Sequence, residues 1–327
     1  MAPDKFRGTA SAAEAADALR AGLVELGHQV VMQPLADGGE GLLDVLGGAN
    51  RTSTVTGPLG DAVDAAWRLS NRTAVIEMAR ASGLALVGGA EGNDPIAAST
   101  YGTGELIAAA LDAGARKIVV GVGGSATTDG GLGALRALYP VPRLRGVQLE
   151  VACDVRLTFV DAARVFSPQK GATPAQVQLL ERRLERLVQV YENDYAKKVA
   201  DLEGGGAAGG LAGGLACVGA SLVPGFELVA DMVGLDEMVE AADLVITGEG
   251  FLDAESFDGK VVGGVTELCA ALGVPVLAVV GEAFDAADEM VSTISLVEHF
   301  GRDRAMNDTL ACLREAASLA IERSELL

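Results

Sequence analysis

The stretch from Lys117 to Gly133, read KIVVGVGGSATTDGGLG, constrains the fold more than any other part of this sequence. Its apolar run, Ile118 to Val122, is typical of a buried strand in an α/β sheet. Glycines, hydroxyl side chains and Asp129 follow at once. Glycines let the backbone turn sharply and approach a ligand, and successive N–H groups can surround an anion. The stretch therefore predicts either a tight strand-to-helix turn or, as we favour, a cradle for a phosphate or carboxylate.

Composition limits the fold class and excludes several kinds of partner. The 327 residues are enough for two domains, and half of them are hydrophobic while only 4% are aromatic. This balance favours helices packed on parallel strands over an all-β sandwich. The formal net charge of −20 argues against nucleic acid or an anionic membrane as the main partner. An anionic substrate would therefore need a local basic site.

The rarer residues point to a cytoplasmic protein without a histidine-based centre. The four cysteines are dispersed and form no CxxC pair, which is typical of reduced thiols in the cytoplasm. Two histidines make a His-based metal site or a Ser-His-Asp triad improbable. Residues 204–226 carry no charge over 23 positions, long enough for a membrane span. Nine glycines among them instead favour a glycine-rich loop that leads into a buried element.

Strands and helices alternate at both ends of the chain, and the middle differs. A strand predicted over Gln29–Pro34 ends in the acid- and glycine-rich loop that holds Asp37. Short strands without crossover helices follow from residue 52, like a meander. We therefore predict an α/β protein of two domains. Residues 1–57 and 239–327 form one open sheet, residues 58–238 form an inserted second domain, and the substrate is expected in a cleft between them.

Phosphoryl transfer fits the recurring loops better than the other chemistries that glycine-rich loops serve. The sequence contains no GxxxxGK[ST] string, which excludes a P-loop enzyme. Residues 121–126 match a relaxed dinucleotide fingerprint, but no acid follows about 20 residues later to bind a ribose. Acids beside glycines recur where predicted strands end, at Asp37, Asp129, Glu249 and Glu282. Such carboxylates can bind Mg²⁺ or orient a hydroxyl, although each alone is also an ordinary turn residue.

At these loops the sequence resembles a known family, the type I glycerate kinases. The resemblance covers nearly the whole chain, in order, and its motifs are APDKFRGTASAAEAA (2–16), PLADGGEG (34–41), TVTGPLG (54–60), IEMARASGL (76–84), TYGTGELI (100–107), GVGGSATTDGG (121–131), PQKGAT (168–173), GAAGGL (206–211) and ADLVITGEGFLDAESFDGK (242–260). It implies phosphorylation of D-glycerate with ATP and Mg²⁺, usually at the 2-hydroxyl. It also implies a Rossmann- or flavodoxin-like open sheet interrupted by a second mixed α/β domain, in agreement with the division above.

The resemblance and the loop chemistry together assign roles to individual residues. Asp37 is the candidate base on the acceptor hydroxyl, and Lys5 is a second catalytic candidate that would meet the substrate carboxylate or the transferring phosphoryl group. Asp129 and Glu249 are candidate Mg²⁺ ligands. The expected substrate-binding residues are Arg7, Ser256 and Lys170. Backbone N–H groups would bind the nucleotide phosphates at Gly123, Gly124, Ser125, Ala126 and Thr127.

The sequence also departs from the family pattern. Only Met1 precedes the APD motif, where the family has an apolar strand, so a form extended upstream by a few apolar residues is expected to be more stable. Residues 154–167 replace the family's Asn-Pro-Leu segment, so no substrate contact is carried over there. The connection at 139–145 is short for the family. A non-catalytic sensor of small acids or nucleotides on the same fold is the alternative function, and a homodimer is left open.

Overall fold

The computed structural model describes residues 1–6, 8–284 and 287–324, and these form two compact units. The terminal unit comprises Met1–Asp37, Asp44–Leu46 and Gly225–Leu327. The central unit comprises Gly38–Leu43 and Gly47–Pro224. Arg7, one of the predicted substrate-binding residues, lies outside the described residues.

Strands and helices alternate along most of the chain. The strands are β1 Ala2–Pro3, β2 Arg51–Thr56, β3 Ala62–Ser70, β4 Thr73–Glu77, β5 Lys117–Gly121, β6 Gln148–Ala152, β7 Ser221–Val223, β8 Val245–Gly248, β9 Phe251–Leu252, β10 Val276–Val280, β11 Glu282–Ala283 and β12 Thr293–Ser295. The α-helices are α1 Ala12–Glu25, α2 Leu42–Val45, α3 Ala79–Ser82, α4 Tyr101–Asp112, α5 Leu132–Ala137, α6 Asp161–Phe166, α7 Pro174–Tyr195, α8 Ala207–Cys217, α9 Gly225–Val233, α10 Leu235–Glu240, α11 Val261–Leu272, α12 Leu296–Phe300, α13 Arg302–Asn307 and α14 Thr309–Ser324. Short 3₁₀ helices span Leu84–Val87, Val141–Leu144, Pro168–Lys170, Ala254–Phe257 and Ala287–Glu289.

The central unit is built on a mixed sheet of six strands in the order β2-β3-β4-β5-β6-β7. Strands β2, β3 and β4 are antiparallel neighbours, whereas β4, β5, β6 and β7 run parallel. The predicted strand after Lys117 is β5, in the interior of this sheet, and Ile118 to Val120 are fully buried. The β-branched run is buried because helices cover both faces of a parallel sheet. The predicted α/β class is therefore confirmed.

The terminal unit contains a parallel sheet of four strands in the order β1-β8-β10-β12. Helices α1 and α14 pack together on it, around a core that includes Leu19, Ile246, Leu277 and Leu313. The predicted capping box at the start of α1 is present: Ser11 accepts a hydrogen bond from the Glu14 backbone, and the Glu14 carboxylate accepts one from the Ser11 backbone. This box fixes where the helix begins after the loop that carries Lys5.

The strand predicted over Gln29–Pro34 does not form as such. Residues 28–37 have no regular secondary structure, but they run beside β1. The Met1 amino group donates to the Val31 carbonyl at 2.9 Å, and the Gln33 N–H donates to the Met1 carbonyl at 2.8 Å. Pro3 has no N–H and so cannot donate a bond of its own to this segment. The segment nevertheless brings Asp37 to the end of β1.

The two compact units differ from the predicted domains at both boundaries. The predicted boundaries fell at 57/58 and 238/239, whereas the contacts divide the chain near Asp37 and at Pro224. Strand β2 belongs to the central unit because it pairs with β3 over its whole length. Helices α9 and α10 belong to the terminal unit because both pack against α11. Strand pairing and helix packing set these domain boundaries, and a change in residue composition along the sequence does not reveal them.

The glycine-rich segment after residue 204 leads into a buried helix, as predicted. Helix α8 is buried over nearly its whole length, and its first turn contains left-handed backbone at Ala208, Gly209 and Gly210. Gly209 approaches the loop after β5 so closely that a Cβ atom would lie 2.0 Å from the Thr127 carbonyl oxygen. None of the helices in the described residues is long and apolar enough to cross a membrane. The glycines thus serve close packing against the loop after β5.

Helix α7 supports the same loop from another side. A capping box formed by Thr173 and Gln176 fixes where this helix begins. Near its end the fully buried Tyr191 packs edge-on against Phe159, with ring centroids 5.9 Å apart. The Tyr191 hydroxyl donates a hydrogen bond to the Gly130 carbonyl at 2.8 Å. The long amphipathic helix is therefore tied to the glycine-rich stretch through one hydroxyl.

We expect Tyr191→Phe to lower the free energy of unfolding by about 1–2 kcal/mol, because the ring stays while a buried carbonyl loses its donor. Tyr195→Phe is the matched control, since Tyr195 lies on the same helix and its hydroxyl has no hydrogen-bond partner among the described residues. Urea denaturation of both variants measures the difference. Equal stability of the two variants would contradict the contribution of this hydrogen bond.

Candidate functional site

The loop after β5, residues 122–129, is called the glycine loop below. Gly124 has left-handed backbone with φ of +67°, which favours glycine. Two hydrogen bonds fix the loop to the end of α3 and the residues that follow it: the Ala126 N–H donates to the Ser82 carbonyl, and the Leu84 N–H donates to the Gly124 carbonyl. The Ala126 N–H is therefore not available to a phosphate, contrary to the prediction. In the described part of the chain, no acceptor is found for the backbone N–H groups of Gly123, Gly124, Ser125 and Thr127.

Two hydroxyls of the glycine loop are buried without a hydrogen bond. Thr127 and Thr128 are at most 1% exposed, and neither side-chain oxygen has a partner among the residues described. A buried polar atom left unpaired costs about 1–3 kcal/mol, so native structures rarely keep one without a reason. Unpaired hydroxyls beside unpaired N–H groups are what a binding site for a polar ligand contains.

Lys170 lies beneath the glycine loop. Its side chain is 3% exposed, and its Nζ donates to the Ser125 hydroxyl at 2.9 Å and to the Thr127 carbonyl at 2.6 Å. Burial lowers the pKa of this amine to about 7, while the negative charge of Asp129 acts in the opposite direction. These bonds make Lys170 a support of the glycine loop, and its predicted contact with substrate stays a prediction.

Asp129, predicted to bind Mg²⁺, uses both carboxylate oxygens within the protein. Oδ2 accepts from the Thr100 N–H at 2.8 Å and from the Gly133 N–H at 3.2 Å. Oδ1 accepts from the Gly131 N–H at 3.1 Å, and the Thr100 hydroxyl donates to both oxygens. A carboxylate with these donors has little capacity left for a cation. The arrangement argues against Asp129 as a metal ligand and assigns it to holding the loop and α5 in place.

A second buried acid, Glu77, was not singled out from the sequence. It ends β4, is 4% exposed, and accepts hydrogen bonds at 3.0 Å from the N–H groups of Gly41 and Leu43. Arg80 Nε donates to its other oxygen at 2.8 Å. Glu77 therefore holds the turn of residues 38–43 at the end of the sheet. An acid directly after the apolar run TAVI was the signal that could have found it.

That turn lies against the start of the glycine loop. A Cβ atom on Gly121 would be 2.6 Å from the Gly38 carbonyl oxygen, and one on Gly123 would be 3.0 Å from the Gly39 Cα. The contact at Gly121 is too short for a side chain, so glycine is required there, and the contact at Gly123 is tight.

In the terminal unit, acids gather at the carboxyl end of the sheet. Asp4 follows β1 and is 7% exposed. The Lys5 Nζ lies 3.9 Å from Asp4 Oδ1 and 3.6 Å from Asp37 Oδ1. The two residues predicted to be catalytic, Lys5 and Asp37, are thus brought together as an ion pair. Carboxyl ends of neighbouring parallel strands are where ligands bind in open α/β sheets.

Glu249 follows β8, the strand that pairs with β1. Its Oε1 is buried and has no hydrogen-bond partner in the described ranges. The pKa of Glu249 is raised to about 7, mainly by burial. The charges of Asp4 and Asp253 also raise this pKa, while a Ser256 hydrogen bond and the Lys260 charge lower it. Asp4 and Glu249 are therefore two acids close enough to interact, and one of them keeps an unused oxygen.

Ser256, predicted to bind substrate, takes part in a local capping box. Its N–H donates to Asp253 Oδ1 at 3.1 Å, and its hydroxyl accepts from the Asp253 N–H at the same distance. It is 1% exposed. This geometry favours a role in shaping the loop after β9. Contact of Ser256 with substrate stays a prediction.

Each unit holds part of the predicted site. The central unit holds Gly123, Gly124, Ser125, Ala126, Thr127, Asp129 and Lys170, and the terminal unit holds Lys5, Asp37, Glu249 and Ser256. No group of three or more metal-ligating side chains is arranged around a common point in residues 1–6, 8–284 and 287–324. The arrangement can bind an anion through N–H groups in the central unit and move a proton through carboxylates in the terminal unit.

Comparison with known proteins gives one consistent result. The glycerate kinase family matches this chain over residues 1–139 and 140–324. The glycerate 2-kinase of Escherichia coli K12 is 37% identical, with 98% of this chain and 97% of that protein covered. A glycerate kinase of Halalkalibacterium halodurans is 39% identical, with 97% and 95% covered. A crystal structure from Salmonella typhimurium LT2, assigned as glycerate kinase 2, superimposes with a TM-score of 0.83 at 35% identity over 100% of this chain and 98% of that one.

We expect Glu249→Gln to stabilise the protein at pH 8 by about 1–3 kcal/mol, because the raised pKa of Glu249 disfavours its ionised form in the folded state. The free energy of unfolding of the wild type falls as the pH rises from 4.5, the ordinary pKa, to about 7, the raised pKa, because Glu249 must then ionise where it is buried. The gain of the variant should therefore shrink by more than half at pH 5. Glu255→Gln is the control, since that side chain is 83% exposed. Urea denaturation at the two pH values measures the gain, and an equal gain at both would contradict the buried titration.

Proposed function

Because this chain belongs to the glycerate kinase family, we propose that it transfers a phosphoryl group from ATP to the 2-hydroxyl of D-glycerate. The observation that carries this proposal is the family match, which spans residues 1–139 and 140–324. The name of the Escherichia coli relative, glycerate 2-kinase, supports the choice of hydroxyl. The same match favours a kinase over a non-catalytic sensor of small acids.

The glycine loop supplies what the nucleotide needs. Four of its five predicted phosphate-binding residues keep an N–H without an acceptor in the described chain: Gly123, Gly124, Ser125 and Thr127. Phosphoryl transfer depends mainly on positioning and on stabilising charge on the phosphate oxygens. Fixed N–H dipoles can stabilise this charge without reorganisation, because hydrogen bonds made by Lys170 and Asp129 hold the loop in place. The proposal is that the nucleotide phosphates bind to these N–H groups.

The acceptor hydroxyl needs a group that takes its proton as the bond to phosphorus forms. Asp37 is our candidate, because it ends the segment beside β1 and its carboxylate lies 3.6 Å from the Lys5 ammonium. Lys5 is a cation beside that base, so it can attract the carboxylate of glycerate or an oxygen of the phosphoryl group. In a chain with a net charge of −20, such a local cation is needed to bind an anionic substrate.

Of the two residues predicted to bind Mg²⁺, one has an oxygen available for it. Glu249 offers a buried oxygen without a partner in the described residues, and Asp4 contributes a second negative charge near it. Oxygen atoms of this kind are the ligands Mg²⁺ prefers. Asp129 does not fit, since its oxygens accept hydrogen bonds from Thr100, Gly131 and Gly133. When bound with ATP, Mg²⁺ would neutralise charge on the phosphates, and Glu249 is the residue we propose to hold it.

Location and assembly remain predictions. The four cysteines, Cys153, Cys217, Cys269 and Cys312, form no disulfide. This agrees with the cytoplasmic location expected from their spacing. A homodimer stays an open proposal.

Purified protein with ATP, Mg²⁺ and D-glycerate should release ADP and form 2-phosphoglycerate, which phosphorus NMR distinguishes from the 3-isomer. Asp37→Asn keeps the shape of the side chain and removes its charge, so kcat should fall by at least about 100-fold. ATP binding should persist, because the proposed nucleotide contacts lie in the glycine loop.

Asp44→Asn is the control for this variant, since Asp44 is an exposed acid on α2. It should keep kcat within about twofold. Near-normal kcat in Asp37→Asn would exclude Asp37 as the base. Failure of every hydroxy acid to stimulate ADP release from folded wild-type protein would favour the sensor.

We expect Gly124→Val to weaken ATP binding steeply, because a side chain would stand among the N–H groups proposed to bind phosphate. Backbone strain accompanies it, as φ at Gly124 is +67°. Gly48→Val controls for the strain, since Gly48 has φ of +74° and open space around its Cβ position. Calorimetric titration with ATP measures both variants beside their melting temperatures. Equal ATP affinity in the two variants would move the phosphate site elsewhere.

A further inference from the structure

A cavity with a largely apolar lining lies in the central unit, beside the glycine loop. Its volume is about 560 Å³, enough for a small organic molecule. Three arginines line it: Arg136 from the last turn of α5, and Arg183 and Arg186 from α7. Its apolar wall includes Leu187 and Val190. None of these residues was given a role by the sequence.

The sequence of α7 explains why the arginines and the apolar residues share this cavity. Residues 183, 186, 187 and 190 are spaced three or four apart, so they lie on one face of the helix. Arg136 faces them from α5. Guanidinium groups present planar N–H pairs that match the oxygen geometry of a phosphate.

Arg136, Arg183 and Arg186 are all exposed, and none of them forms an ion pair within the described residues. Arg136 and Arg186 have no carboxylate partner and no hydrogen bond in the described residues. Within the part of the chain that the structure describes, Arg183 donates to the Ile96 carbonyl at 2.8 Å and to no other acceptor. The one carboxylate in the lining is Asp129, whose oxygens already accept hydrogen bonds from neighbouring N–H groups. Unpaired cations beside a cavity are notable in a chain that carries 45 acidic residues and 25 basic ones.

One residue of the lining carries a buried hydroxyl. Thr128 lines it and is 1% exposed, yet its Oγ1 has no hydrogen-bond partner among the residues described. Within a polar site such an atom is satisfied when a ligand oxygen or a bridging water is present. The cavity therefore combines two unpaired guanidinium groups with one unpaired hydroxyl.

We propose that this cavity binds the phosphate group of a small phosphorylated molecule, with the guanidinium groups of Arg136 and Arg186 on the phosphate and the apolar wall against the rest. Two kinds of molecule carry such a phosphate group, a nucleotide and a phosphorylated hydroxy acid. The assignment stands on the residues of the cavity itself and does not require that the chain be a kinase.

Calorimetric titration of the full chain with ADP, 2-phosphoglycerate and inorganic phosphate, each in turn, tests the proposal. The double variant Arg136→Gln/Arg186→Gln should bind at least one probe at least about tenfold more weakly than the wild type. Arg182→Gln is the matched control, because it removes an exposed arginine of α7 that does not line the cavity. Its affinities should equal those of the wild type.

The probe that loses affinity identifies the source. Weakened ADP binding alone assigns the cavity to a nucleotide, and weakened 2-phosphoglycerate binding alone assigns it to a phosphorylated acid. The proposal is overturned if the double variant binds all three probes as the wild type does, or if the wild type binds none of them. The double variant should melt like Arg182→Gln, since both arginines are exposed. Binding is measured without turnover, so a chain that failed the kinase assay would still give a readable result.

Discussion

The Asp129 carboxylate connects three segments of the central unit around the glycine loop. Asp129 accepts hydrogen bonds from Thr100, Gly131 and Gly133, and thereby joins the start of α4 to the end of the glycine loop and the start of α5. Hydrogen bonds to a charged acceptor are about twice as strong as neutral ones. Because this carboxylate anchors the far end of the loop, the upstream residues can keep a conformation in which several N–H groups point away from other protein acceptors.

Each unit buries one ionisable group whose pKa burial has moved to about 7, Lys170 in the central unit and Glu249 in the terminal unit. The two shifts have the same cause and opposite signs, since desolvation disfavours whichever form is charged. Their surroundings differ, however. The Lys170 amine donates hydrogen bonds to Ser125 and Thr127, whereas Glu249 keeps one oxygen without a partner in the described residues. A buried amine with two protein acceptors supports structure, whereas a buried oxygen without a partner in the described residues is available for chemistry.

Local signals in the sequence were enough to predict the elements that carry the site. The β-branched run of β5, the capping box at Ser11 and the proline after Thr173 each act over a few residues, and each is present in the structure. Functional roles depended on distant partners. Asp129 meets Thr100, 29 residues earlier, and Lys170 meets Ser125, 45 residues away. An acid or a lysine beside glycines looks the same in a sequence whether or not it has hydrogen-bond partners in the folded protein. Residues 29–34 hydrogen-bond to β1, but Pro3 in that strand has no N–H to donate to them.

The acids that end strands fall into two classes, and this division bears on which of them can do chemistry. Glu77 and Asp129 have their oxygens occupied by backbone N–H groups and side-chain donors. Glu249 and Glu282 each keep one buried oxygen unpaired within the residues described. The saturated acids belong to the central unit, where they hold loops whose N–H groups suit phosphate. The unsaturated acids belong to the terminal unit, as does Asp37 beside Lys5. Among the described residues, the acids that keep an unpaired oxygen and the loop that keeps unpaired N–H groups therefore belong to different units, and the proposed phosphoryl transfer would draw on both kinds of group.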